Sequence, residues 1–84
     1  MEWKVITYAR NFHGAQALLR TEGYLLALWN HEQCRGWQLY RFDHRGQTRW
    51  MAGAGAESLA WTDEQARRWA EEVIEQQPPA QNSP

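Results

Sequence analysis

The segment from residue 58 to 79 constrains the fold most, because it contains the complete pattern of an amphipathic helix. Thr62 precedes Gln65 by three residues, the spacing at which a hydroxyl and an amide satisfy free N–H groups of a first helical turn. Asp63 and Glu64 place negative charge where the helix dipole is positive. Apolar residues then recur at helical intervals along one stripe: Ala66, Trp69, Ala70, Val73 and Ile74.

Two prolines, at positions 78 and 79, cannot continue this helix. We therefore expect a helix from Asp63 to Gln76 and a disordered tail at 78–84. A single apolar stripe must pack against a surface, and in a chain of 84 residues the preceding segments must supply it. The sequence thus predicts one α+β domain over residues 1–77.

The composition limits the size and surroundings of that domain. Six tryptophans make the chain unusually aromatic and supply many of the large side chains available for a core. The single cysteine, Cys34, cannot form an internal disulfide, and no charged-then-apolar leader opens the chain. No apolar run approaches the ~20 residues of a membrane span. We expect a soluble, cytoplasmic protein with no membrane partner.

The residues before the helix predict an antiparallel sheet of about four strands. The expected strands are Glu2–Ala9, Tyr24–Asn30, Trp37–Asp43 and Gln47–Ala52. Residues 15–22 fit either a short second helix closed by Gly23 or a strand that turns there, and we favour the helix. The segment 30–36 is expected to be a polar connection, and 53–56 a flexible joint.

The segment 43–47 is typical of a hairpin turn, with Gly46 able to adopt positive φ. Counting away from this turn gives the expected cross-strand pairs. They are Phe42 with Thr48, Arg41 with Arg49, Tyr40 with Trp50, and Leu39 with Met51. In this register Trp37, Arg41 and Arg49 share one side of the hairpin.

The candidate partner-binding residues belong to this hairpin and its flanks. Opposed Arg41 and Arg49 repel by about 0.2–1 kcal/mol, which a bound anion or a partner carboxylate would offset. Arg35 and Arg45 lie near the two ends of the same strand, and Trp37 lies beside them, so the set resembles a stacking and phosphate-binding surface. The alternative is that the charged ends of these arginines only extend into water from an outer face of the domain, while their aliphatic stems cover apolar atoms.

The distribution of charge supports an anionic partner for the sheet. Residues 1–53 contain seven Lys or Arg against four Asp or Glu, whereas residues 54–84 contain two against six. The sheet-forming part therefore has a net charge of +3 and the helical part −4.

We expect no metal, cofactor or catalytic centre. Cys34 and His31 are close in sequence, but His13 and His44 do not complete a recognised zinc spacing with them. A nucleophilic cysteine also needs an oriented base and a cleft, which a domain of this size rarely has. The sequence therefore favours a protein that is not an enzyme.

We also expect self-association, because strands 2–9 and 24–30 are apolar on both sides and one helix cannot cover two faces. The leading hypothesis is a small binding protein that covers a functional surface of a protein or nucleoprotein complex. In size and in lacking a catalytic motif, the chain resembles the small inhibitors of phages and mobile elements, among them the anti-CRISPR proteins. That resemblance implies inhibition of host defence and assigns no site residue.

Two alternatives stay open. One is a single-stranded nucleic-acid-binding domain that uses Trp37, Arg41 and Arg49. The other is a homodimeric structural subunit.

Overall fold

The computed structural model describes residues 1–77, so the predicted tail at 78–84 lies outside the described residues. Its elements are β1 (Lys4–Ile6), β2 (Ala17–Arg20), β3 (Tyr24–His31), β4 (Cys34–Phe42), β5 (Thr48–Gly53), a 3-10 helix (Ala56–Ala60) and α1 (Asp63–Glu75). All neighbouring strands are antiparallel, and they follow chain order across the sheet. The predicted α+β class is confirmed, with five strands instead of about four.

The helix favoured for residues 15–22 is wrong, because this segment contains strand β2. Leu18 and Leu19 are both buried, and as neighbours in a strand they lie on opposite sides of the sheet. A surface helix would bury them on a single stripe. The chain turns after β2, where Thr21 N donates a hydrogen bond to Tyr24 O (3.0 Å). This agrees with the alternative stated for residues 15–22, a strand that turns at this point.

Two other boundaries also differ from expectation. The first strand is shorter than 2–9, ending at Ile6. The polar connection expected at 30–36 is a continuation of the sheet, because β3 and β4 pair as far as His31 and Cys34. The side chains of residues 30–33 are exposed, because the ends of the two strands extend beyond the core. Their position explains why these residues are polar.

The register predicted for the β4–β5 hairpin is correct next to the turn. Arg41 pairs with Arg49 and Tyr40 with Trp50. A bulge then shifts the register, so that Leu39 lies opposite Ala52 instead of Met51. Gly46 has φ 78°, and Asp43 N donates to Gln47 O (2.8 Å), which confirms the turn.

Helix α1 covers one face of the sheet, the helix face. Its predicted cap is present: Gln65 N donates to Thr62 Oγ1 (3.2 Å), and Thr62 N donates to Gln65 Oε1 (2.8 Å). The buried side chains of this face are Trp3, Leu19, Leu26, Trp37, Leu39, Ala66 and Ala70. In the described part of the chain neither helix is long and apolar enough to cross a membrane.

The segment expected to be a flexible joint is anchored to β4. Ser58 is fully buried, and its Oγ accepts from Trp37 N (2.8 Å) and donates to Gly55 O (2.6 Å). Gly36 allows this close approach, because a Cβ there would collide with Gly55 O and its φ is 103°. The 3-10 helix is thereby fixed against the sheet before α1 begins.

The other face of the sheet, the loop face, is covered by the β1–β2 connection, residues 7–16. Phe12 is buried there and packs edge-on against Tyr40, with ring centroids 4.8 Å apart. Trp29 lies 5.6 Å from Phe12 and donates its Nε1–H to Tyr40 Oη (3.1 Å). The 7–16 loop therefore covers part of a face that was expected to be uncovered, while Trp50 on β5 stays 61% exposed there. Self-association stays a prediction.

Candidate binding surface

Three of the five predicted site residues lie together at the hairpin end of the sheet. Arg41 and Arg49 are cross-strand partners, and Arg45 lies in the turn between their strands. All three are exposed. We call Arg41, Arg45 and Arg49 the hairpin arginines.

The other two predicted residues are not part of this cluster. Arg35 is exposed at the opposite end of β4, separated from Arg41 by about 20 Å of strand. Trp37 lies on the expected side of the hairpin, but it is 0% exposed and packs in the core beneath α1. Its Nε1–H has no hydrogen-bond partner within residues 1–77. Trp37 therefore cannot offer a ring for stacking in this structure.

One carboxylate organises the hairpin turn. Asp43 Oδ1 accepts from Arg45 N (2.8 Å) and Gln47 N (2.9 Å), and Asp43 Oδ2 accepts from Arg49 Nε (2.9 Å). These contacts, led by the hydrogen bond from Gln47 N, lower the pKa of the Asp43 carboxyl below its usual range. Asp43 thus holds the turn and balances one of the three arginines.

The hairpin end and the helix carry opposite charge. Within residues 1–77 the ion pairs are Asp43–Arg49 and Glu64–Arg68, so no acidic side chain of α1 pairs with a hairpin arginine. Helix α1 itself has five acidic and two basic residues.

On helix α1, Glu71 Oε2 accepts a hydrogen bond from Trp3 Nε1 (3.0 Å), which holds the start of the chain against the helix.

On the loop face, a groove of about 660 Å³ lies between residues 7–16, strand β2 and the hairpin turn. Its walls include Tyr8, Arg10, Arg20, Leu25, Phe42 and Arg45. The Arg20 guanidinium carbon lies 4.2 Å from the centre of the Phe42 ring. None of the lining residues is acidic. We call this the arginine groove.

Sequence reasoning did not identify Arg10 or Arg20 as site residues. Both contribute to the excess of basic over acidic residues in 1–53, which can be counted from the sequence. Their meeting with Arg45 depends on the path of the 7–16 loop, and no local pattern predicts that path. The excess of basic residues was therefore the available signal, but it does not show where in the fold these residues meet.

The remaining groups that could carry chemistry are the Tyr40 hydroxyl, the Cys34 thiol and the residues able to bind a metal. Burial raises the pKa of the Tyr40 hydroxyl, and the hydrogen bond from Trp29 partly opposes that shift. Cys34 is half-buried at the start of β4, opposite His31. In the portion the structure describes, no three His, Cys, Asp or Glu side chains are grouped so as to hold a metal ion.

The sequence matches no family model, and neither a curated protein nor a solved structure is significantly similar to it.

Proposed function

We propose that this protein is a non-enzymatic binding protein whose hairpin arginines cover an acidic functional surface of a protein or nucleoprotein complex. The observation that carries the proposal is the exposed, directly opposed pair Arg41 and Arg49, for which the turn supplies one carboxylate. Partner carboxylates would neutralise the remaining charge.

The energetics favour such a partner. Like charges placed opposite each other in a sheet cost about 0.2–1 kcal/mol, and Asp43 offsets this only in part. Basic residues at one end of the molecule and an acidic helix elsewhere also orient the protein as it approaches a negatively charged surface. The binding end would therefore meet the partner first.

A protein surface is favoured over single-stranded nucleic acid as the partner. Trp37, the ring on which bases were expected to stack, is buried. The ring next to Arg49 in sequence is the exposed Trp50, whose Nε1–H donates to Gln38 Oε1 (2.8 Å) on the loop-face side. Stacking on Trp50 and phosphate contacts with Arg41 and Arg49 would then require two different sides of the hairpin.

We extend the proposal to inhibition of a host defence system, as in the small phage and mobile-element inhibitors. The small size of the domain and its charged end support occlusion of a partner site as the mode of action. We also propose a cytoplasmic location, supported by the single, unbridged Cys34.

The test is capture of partners from a host lysate by immobilised protein, with and without nuclease. The wild type is compared with Arg41→Gln/Arg49→Gln. The matched control is Arg35→Gln/Arg68→Gln, which removes the same charge from exposed positions outside the hairpin. Thermal melts establish that every variant is folded.

We expect the wild type and the control to retain the same partner after nuclease treatment, and the hairpin variant to lose it. A partner that disappears with nuclease would instead support a nucleic-acid-binding domain. Equal loss in both double variants would mean that net charge alone mediates capture, and the proposed surface would be wrong.

A further inference from the structure

The arginine groove brings together three cations from three separate parts of the chain. The 7–16 loop supplies Arg10, strand β2 supplies Arg20, and the hairpin turn supplies Arg45. Among residues 1–77 no carboxylate lies within ion-pair distance of these three guanidinium groups. Three like charges around one cavity repel one another, so the groove favours an anion.

The segments that hold these arginines are ordered by their own contacts. The guanidinium carbon of Arg20 lies over the Phe42 ring, 4.2 Å from its centre. The backbone N–H of Arg45 donates to Asp43 Oδ1 (2.8 Å). Arg10 stands in a turn closed by the hydrogen bond from Phe12 N to Ala9 O (3.0 Å). Because the framework is already in place, an anion would bind with little further ordering of the backbone.

The size and walls of the groove indicate the class of ligand. A volume of about 660 Å³ is within the range of roughly 300–1,000 Å³ that small-molecule sites occupy. Guanidinium groups match phosphate oxygens in paired hydrogen bonds, and a phosphate carries more charge than a carboxylate. The half-buried Ile6 and the exposed ring of Tyr8 supply an apolar wall beside the arginines.

We propose that the arginine groove binds a small molecule carrying two adjacent phosphate groups on an uncharged body, of which a nucleoside diphosphate is representative. The diphosphate, with about three negative charges, would be held by Arg10, Arg20 and Arg45. The uncharged body would lie against the apolar wall. The groove shares Arg45 with the hairpin arginines, but Arg10 and Arg20 belong to the groove alone and Arg41 and Arg49 lie outside it, so variants at these two pairs separate the two proposals.

Isothermal titration calorimetry with ADP, inorganic pyrophosphate and adenosine tests the proposal. We expect saturable binding of ADP, weaker binding of pyrophosphate and none of adenosine. Arg10→Gln and Arg20→Gln should each weaken ADP binding roughly tenfold or more, since each removes charge-assisted hydrogen bonds. Arg35→Gln, at the far end of β4, removes the same charge and should change the affinity less than about twofold.

Arg20→Gln also removes the contact with Phe42, so a loss of binding in that variant counts only if its melt is cooperative. Arg10 is exposed in the loop, and Arg10→Gln keeps the test decisive if Arg20→Gln unfolds. The proposal is overturned by undetectable ADP binding at millimolar concentration, or by equal weakening in Arg35→Gln. It is also overturned if pyrophosphate binds as tightly as ADP, or if only an oligonucleotide binds.

The Arg41→Gln/Arg49→Gln variant separates this site from the proposed function. We expect it to bind ADP with wild-type affinity while losing the captured partner. Loss of ADP binding in that variant would place the phosphate site on the hairpin arginines and would contradict the groove as the site.

Discussion

The two faces of the sheet are buried in different ways. On the helix face, Ala66 and Ala70 of α1 are fully buried in one cluster with Leu26 and Leu39 of the sheet. On the loop face, an irregular segment crosses the strands, and Phe12 is its buried aromatic anchor. A regular element spreads its contacts along a stripe, whereas the loop concentrates them on few side chains.

This difference has a consequence for dynamics. The 7–16 loop is held by few backbone hydrogen bonds, among them Ala15 N to Phe12 O (3.2 Å) and Gln16 N to Leu28 O (2.8 Å). Asn11 adopts φ 70°, a left-handed conformation that asparagine tolerates in turns. Segments with few contacts open at low free energy. The 7–16 loop, which forms one wall of the arginine groove, is therefore expected to have a lower free energy of opening than the sheet and α1, although it is ordered in the structure.

The largest predicted effect is on the helix face. Trp37→Ala should lower the free energy of unfolding by about 3–5 kcal/mol, because it leaves a cavity beneath α1. Denaturant titration measures the loss. Trp50→Ala is the matched control, since Trp50 lies on the adjacent strand and is 61% exposed. Similar losses in the two variants would contradict the burial of Trp37.

Phe12→Ala should have a smaller effect of a different kind. The loop can partly collapse into the vacated space, so we expect a loss of about 3 kcal/mol, at the low end for a buried ring. Amide hydrogen exchange should accelerate most within residues 9–16. If the amides of β3 and β4 accelerated equally, the loop would be an integral part of the cooperative core, and the contrast between the two faces would be wrong.

The features that could be predicted from sequence are those carried by local patterns. The capping box at Thr62 and the stripe of α1 depend on residues within a few turns of one another. The pairing of Arg41 with Arg49 follows from counting out of a recognisable turn. Where a bulge intervenes, at Leu39 and Tyr40, counting fails because one unpaired residue shifts the later pairs.

The features that could not be predicted depend on contacts between distant segments. Strand β2 is short, and its extended conformation depends on pairing with β1 and β3 on its two sides. Its two leucines then face opposite sides because they are neighbours in a strand. Ser58 is a polar residue that no pattern places in the core, yet it is buried, and its hydroxyl oxygen accepts a hydrogen bond from Trp37 N. The arginine groove escaped prediction for the same reason, because it forms only when the 7–16 loop meets the hairpin.

A smaller effect tests the regularity of the helix face. Thr62→Ala should lower stability by about 1 kcal/mol, because Gln65 N–H loses its acceptor at the first turn of α1. Glu72→Ala, at an exposed position on the same helix, is the control and should change stability little. Denaturant midpoints of the two variants give the comparison. An equal loss in both would mean that the cap does not anchor the helix.

The smallest predicted effect concerns the hairpin end, which neither α1 nor the 7–16 loop buries. Its turn is held by hydrogen bonds to Asp43. Because folding lowers the pKa of this carboxyl, its ionised form stabilises the fold at pH values above the unfolded pKa of about 3.9. That stabilisation is lost as the pH falls through the lower, folded pKa. Asp43→Asn, which lacks the charge, should therefore melt slightly below the wild type at pH 7, and the gap should close towards pH 2. A gap that stayed constant between these pH values would show that Asp43 acts through the shape of its hydrogen bonds and not through its charge, and the hairpin arginines would then be held independently of their carboxylate.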